Sequence, residues 1–116
     1  MTSGTDYEKL LRATEGDAGL ARDLISIFCH DYPHLLAEGN EAVRENRSDD
    51  LHRVAHTLKG NLRFMGAEAA AETAARLDAL AISHDLAGAS PELTELKKQL
   101  EELEQGLISS QKKAEE

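Results

Sequence analysis

Five histidines are spread over the 116 residues, and His56 has the company that a group-transfer site would need. Read as a helix, the segment 51–65 divides into two faces. Leu51, Val54, Ala55, Leu58, Leu62 and Met65 fall at offsets 0, 3, 4, 7, 11 and 14, one apolar stripe that must face a core. At about 100° of turn per residue, His56 lies on the far side from Val54 and Leu58 and points into solvent. His52, Arg53, Lys59, Gly60 and Arg63 stand three, four or seven positions from it on that outer face. An imidazole with an ordinary pKa of about 6.5 is partly unprotonated near neutrality and can act as a nucleophile. The surrounding cations suit a dianionic phosphoryl group or an acidic partner surface. Gly60 is the oddity. A glycine inside a good helix costs about 1 kcal/mol relative to alanine, and this one lies on the exposed side, where core packing does not explain it. A missing side chain one turn beyond His56 would let another protein's active site close over the imidazole.

The elements that must position these residues are helices. The chain is rich in Ala, Leu, Glu and Asp, and holds two Tyr, two Phe and no Trp. A short apolar helix is expected near Tyr7, Leu10 and Leu11, after a frayed terminus at 1–4. The turn Glu15-Gly16-Asp17 precedes a long helix, about 18–46, with Leu20, Leu24, Phe28, Tyr32, Leu35, Leu36 and Val43 in one stripe. Pro33 should bend that helix near 29–33 rather than end it. Ser48 is a good N-cap for the helix of His56, with Asp49 and Asp50 in its first turn. Gly66 marks its end. An alanine-rich helix over about 67–83 buries Ala70, Ala74, Leu77 and Leu80 or Ala81. Ser90-Pro91 starts a last helix with Leu93, Leu96, Leu100, Leu103 and Leu107 inward, fraying over 110–116. Four long helices with short connections predict an all-α antiparallel up-down four-helix bundle with a short additional N-terminal helix. It forms a single domain, 1–116, with its core over about 17–108.

Charge and composition exclude several functions. With 22 acidic against 13 basic residues, the net charge is −9, which disfavours nucleic acid or an anionic membrane as partner. No signal peptide and no run long enough to span a bilayer is visible, so a cytoplasmic, monomeric protein is expected. The single Cys29 cannot form an internal disulfide and reads as a small core residue. Nothing resembles a Gly-rich phosphate loop or a carboxylate cluster for Mg²⁺, so ATP-dependent kinase activity is not expected.

Ala55-His56-Thr57-Leu58-Lys59-Gly60, followed six residues later by Gly66-Ala67, resembles the signature of histidine-phosphotransfer (HPt) domains. The likeness spans about 17–108, including a proline in the preceding helix and Leu77-Asp78 at the family's downstream Leu-acidic pair. It implies that His56 is phosphorylated, that Lys59 is the cation beside the phosphoryl group, and that Gly60 permits docking of a receiver domain. The partners implied are receiver domains of response regulators or hybrid histidine kinases, with Mg²⁺ held by the receiver and no cofactor on this chain. Asn61 and Arg63-Phe64 depart from the family pattern at the docking surface. That surface is expected to include His52, Arg53, Arg63 and Phe64, with outward residues of the 18–46 helix before Pro33.

Competing readings are weaker. A sensor-kinase dimerisation helix would follow the histidine with an acidic residue and Arg-Thr-Pro, unlike Thr57-Leu58-Lys59. His30 with His34, and His52 with His56, have i, i+4 spacing that could clamp one edge of a metal ion, yet each pair is a half-site at best. No metal site is therefore expected. A helical adaptor that is never phosphorylated remains the alternative function.

Overall fold

The computed structural model describes residues 5–115; residues 1–4, where fraying is expected, and residue 116 lie outside it. The described chain is all-helical and contains no strand. Its elements are α1 (Asp6–Ala13), α2 (Ala18–Arg44), α3 (Ser48–Met65), α4 (Glu68–Ile82) and α5 (Ala89–Glu115), with one 3₁₀ turn at Leu86–Gly88. α2 packs on α3 and α5, α4 packs on α3 and α5, and α1 lies against α3 and α5. No helix among the described residues is long and apolar enough to cross a membrane.

The core forms where the helical periods require it. Leu51, Val54, Ala55, Leu58 and Leu62 of α3 are completely buried, as are Ala74 and Leu77 of α4 and Leu96, Leu100 and Leu107 of α5. At α4's open choice, Ala81 is the buried residue. The inward face of α2 differs from the expected one at its start. Leu20 is 44 % exposed, and Ala21 and Ile25 take the inward positions. Stepping back from Phe28 and Tyr32 by whole turns reaches 25 and 21, not 20. Leu24, Leu35 and Val43 flank the core, partly buried. Pro33 is exposed and α2 runs through it to Arg44, held on either side by buried Tyr32 and Leu36.

The turns share one device. At the ends of α1, α2, α3 and α4 a residue in the left-handed region reverses the chain: Glu15 (φ 56°), Asn46 (φ 57°), Gly66 (φ 79°) and His84 (φ 59°). The next amide then donates back across the last turn: Gly16 to Leu11, Arg47 to Ala42, Ala67 to Leu62 and Asp85 to Leu80, at 2.7 to 2.9 Å. This geometry displaces the expected cap of α3. Ser48 is already the first helical residue, and Arg47 occupies the cap without a side-chain bond. The Arg47 guanidinium instead bridges Glu45 and Asp50, at 2.6 and 3.1 Å. The last helix also departs from expectation. It starts at Ala89, and it does not fray over 110–115 but continues to Glu115 beside the equally long α2, with Leu107 buried and Arg22 3.9 Å from Glu115.

Gly66 is the most constrained of these turns. Besides its positive φ, a Cβ there would come within 3.1 Å of Lys9 Cβ on α1. Gly66→Ala is expected to cost about 1–2 kcal/mol, read as a lower urea midpoint with an unchanged slope.

Candidate functional site

α3 carries the site because its inward stripe leaves one outer face. His56 is exposed at the centre of that face, and the expected residues distribute to either side. Towards α4 lie His52 and Lys59. Both meet Asp78: His52 Nδ1 contacts Asp78 Oδ1, and Lys59 Nζ donates to Asp78 Oδ2 at 3.1 Å. Towards α2, Arg53 pairs with Glu38 at 2.8 Å. Arg63 is exposed, one turn beyond Lys59. The imidazoles of His52 and His56 stand 5.8 Å apart between centroids.

The positive cluster inferred from spacing is therefore only partly a cluster of free cations. Lys59 and Arg53 are each tied to a carboxylate, which leaves Arg63 as the cation of this face with no ion pair among the described residues. The family likeness marks Asp78 only as half of a Leu-acidic pair and gives it no place in the site. It is 4 % exposed within the stripe of Ala74, Leu77 and Ala81. An acid inside an apolar stripe was the available signal, since a buried carboxylate must be paired. Burial pushes its carboxyl up, but hydrogen bonds from Lys59 and His52 outweigh this and hold it below its ordinary value.

Gly60 answers its question directly. It is exposed, and a Cβ built on it would meet nothing within 4 Å. The fold needs no glycine there, nor at Gly106 on α5, where a Cβ would also meet nothing, so it is the place beside His56 that sets Gly60 apart. Beside it, Phe64 is 53 % exposed. It lines an apolar groove of about 220 Å³ between α2 and α3, together with Leu24, Ile27, Asp31 and Asn61. Ile27 is 56 % exposed. On α2 the groove runs from Leu24 past Pro33 to Leu35.

The remaining candidates do not join this site. His30 and His34 are exposed neighbours on α2, 5.3 Å apart between ring centroids, and His30 contacts Asp31. Among the described residues no three His, Cys, Asp or Glu side chains are grouped to hold a metal ion. Cys29 is partly buried against the core. Burial and nearby Glu104 push its thiol up to about 11, away from a reactive thiolate.

The sequence model of the Hpt domain matches residues 23–106, which takes in most of α2, all of α3 and α4, and α5 as far as Gly106. The chain belongs to the Hpt domain family. No curated protein and no solved structure matches it. Hpt domains are phosphocarrier modules of phosphorelays, not kinases, and interact with receiver domains of response regulators.

Two stability measurements follow from the geometry of this Hpt domain. Gly60→Ala should raise stability by about 0.5–1 kcal/mol, because the helix gains propensity without a clash; a lower urea midpoint would show a contact the structure lacks. Asp78→Asn should cost about 1–3 kcal/mol at pH 7 by losing the charge-assisted bond to Lys59 and leaving a buried amide poorly paired. The folded-state value of Asp78 lies below its unfolded one, so its contribution is full above the unfolded pKa and is lost as pH falls through the folded one. The gap between parent and variant should accordingly shrink in acid.

Proposed function

We propose that this Hpt domain carries a phosphoryl group on His56, taking it from and returning it to the aspartate of receiver domains. The observation that carries the reading is that one face of α3 joins an exposed imidazole, a neighbouring Lys59 and a Gly60 that the fold does not require. A ring nitrogen of neutral His56 attacks the phosphorus of the aspartyl phosphate in line with the bond to the leaving carboxylate. The N–P bond forms, the P–O bond breaks, and the carboxylate departs with the electron pair while the imidazole takes on positive charge. Return transfer is the reverse. Lys59 offsets the phosphoryl charge. Mg²⁺ belongs to the receiver's own site, and this chain contributes the nucleophile, its orientation and a docking face.

That face is read as the outer side of α3, with His52, Arg53, Arg63 and Phe64, continued by Leu24 and Ile27 across the groove. Exposed apolar side chains rimmed by polar ones are the usual mark of a protein-binding patch, and an apolar anchor needs the clear approach that Gly60 leaves. The scaffold is read as an antiparallel up-down arrangement of α2 to α5. Its support is the pairing of Arg53 with Glu38, Lys59 with Asp78, Arg76 with Glu92 and Tyr32 with Glu104. A monomer in the cytoplasm, facing receiver domains there, completes the reading.

Incubation with a phosphorylated receiver domain tests it. Label that is acid-labile and base-stable is expected on the parent protein and absent from His56→Gln. Label that survives the substitution would overturn the assignment of His56. A glutamine at Gly60 should slow transfer by about tenfold or more by displacing the partner, with helix content unchanged in the far-ultraviolet spectrum.

A further inference from the structure

α2 carries a second pair of histidines that phosphoryl transfer leaves unused. His30 and His34 are exposed one turn apart, with ring centroids 5.3 Å from each other. By spacing alone they match His52 and His56, each pair offering two ligands to an ion. Their surroundings differ. His52 and His56 share a face with Lys59, Arg53 and Arg63, and His52 Nδ1 is taken by Asp78. The neighbour of His30 is instead an acid, and α2 holds no Lys or Arg between Arg22 and Arg44. Arg53, which shares a cleft with His34, is paired with Glu38. His30 Nδ1 lies 3.1 Å from Asp31 Oδ1. An ionised carboxylate can only accept, so His30 carries its proton on Nδ1 and keeps a lone pair on Nε2, in a side chain that is 76 % exposed.

We propose that His30 and His34 form a chelating edge for one divalent transition-metal ion, tightest for Cu²⁺, bound through Nε2 of His30 and one ring nitrogen of His34. Two imidazoles on one ion, each nitrogen about 2.0–2.1 Å from it, have ring centres roughly 5 Å apart. The pair already stands at that separation, so binding requires rotation of the rings and no movement of the helix. Asp31 is a positioning residue that touches the imidazole and not the ion. A carboxylate on the far nitrogen fixes the ring and raises the basicity of the ligating one. Imidazole ligands select copper, nickel and zinc over Mg²⁺ and Ca²⁺, and affinity for nitrogen ligands peaks at copper. No third His, Cys, Asp or Glu joins the pair among the described residues, so water completes the coordination and the ion stays exchangeable. The turn it bridges contains Pro33, which has no N–H to give the Cys29 carbonyl. A bound ion closes that turn from outside, independently of His56.

Copper(II) chloride titrated into the full chain in a non-chelating buffer tests the site, with binding followed by calorimetry. One ion per chain is expected. His30→Ala and His34→Ala should each weaken binding about tenfold or more, and Asp31→Ala about tenfold, the size of effect that outer partners of ligating histidines carry. Asp31→Asn, which keeps an acceptor for Nδ1, should recover part of that loss. His56→Gln should bind like the parent. All four positions are exposed, and far-ultraviolet spectra should match throughout. Zn²⁺, the weaker and diamagnetic ion, should shift the ring nitrogens of His30 and His34 in long-range ¹H–¹⁵N spectra and leave those of His52 and His56 in place. Copper should also raise the thermal midpoint of the parent and not that of the double variant H30A/H34A, because the bridge needs the helical turn. Parent binding no tighter than about millimolar would reduce the pair to an adventitious surface contact and overturn the site. Single histidine variants within about twofold of the parent, or loss of the ion in His56→Gln, would overturn it equally. An unchanged parent midpoint at saturating copper would overturn the bridge. Asp31→Ala within about twofold of the parent would overturn the positioning role of Asp31.

Discussion

Leu51, Val54, Ala55, Leu58 and Leu62 are sealed completely against the neighbouring helices, and a helix that must bury those five side chains has no freedom left in choosing its outer face. Rotation of α3 by even a third of a turn would expose leucine and bury imidazole. Burying a leucine or valine is worth about 1.5–3 kcal/mol, so several of them together exceed anything that exposed charges could contribute in opposition. The outward direction of His56 is thus a by-product of core packing. It persists whether or not a partner is bound.

Much of this could be read from the residue pattern, because helical periodicity is a local property. The stripe on α3, the inward leucines of α5 and the glycine at 66 each announce themselves within one or two turns of chain. What escaped were facts about pairs of helices. Nothing local to 52–63 says that Lys59 and Arg53 are already occupied, since their partners Asp78 and Glu38 lie on α4 and α2. The apolar stripe puts Leu20 inward, although the helical phase fixed by Phe28 and Tyr32 gives the inward place to its neighbour Ala21. Ser48 lost its expected cap because Asn46 turns the chain more tightly than a side-chain cap requires. The tail over 110–115 reads as polar, yet it is helical alongside α2.

Asp78 and Gly60 illustrate two ways in which a site departs from what stability alone would select. The buried acid is tolerated because Lys59 and His52 each bond one of its oxygens, and an apolar residue of similar size would serve the core at least as well. Gly60 is tolerated at a cost that nothing inside the protein recovers. Both departures border the outer face of α3 that carries His56, Asp78 through its bonds to His52 and Lys59.

The four left-handed turns have a consequence for traffic through the site. They are short and fully bonded, so the bundle has little slack, and His56 cannot swing from one visitor to the next. On the proposed reading of His56, a single acceptor on a single face admits one receiver at a time. Donor and recipient must take turns, each leaving before the other can approach, which is the kinetic pattern of a ping-pong exchange rather than of a ternary assembly. Under that pattern the throughput of the relay is set by how quickly a spent partner lets go. For the docking groove proposed above, weak holding then becomes an asset, and tighter binding at Phe64 and Ile27 would slow the signal rather than strengthen it.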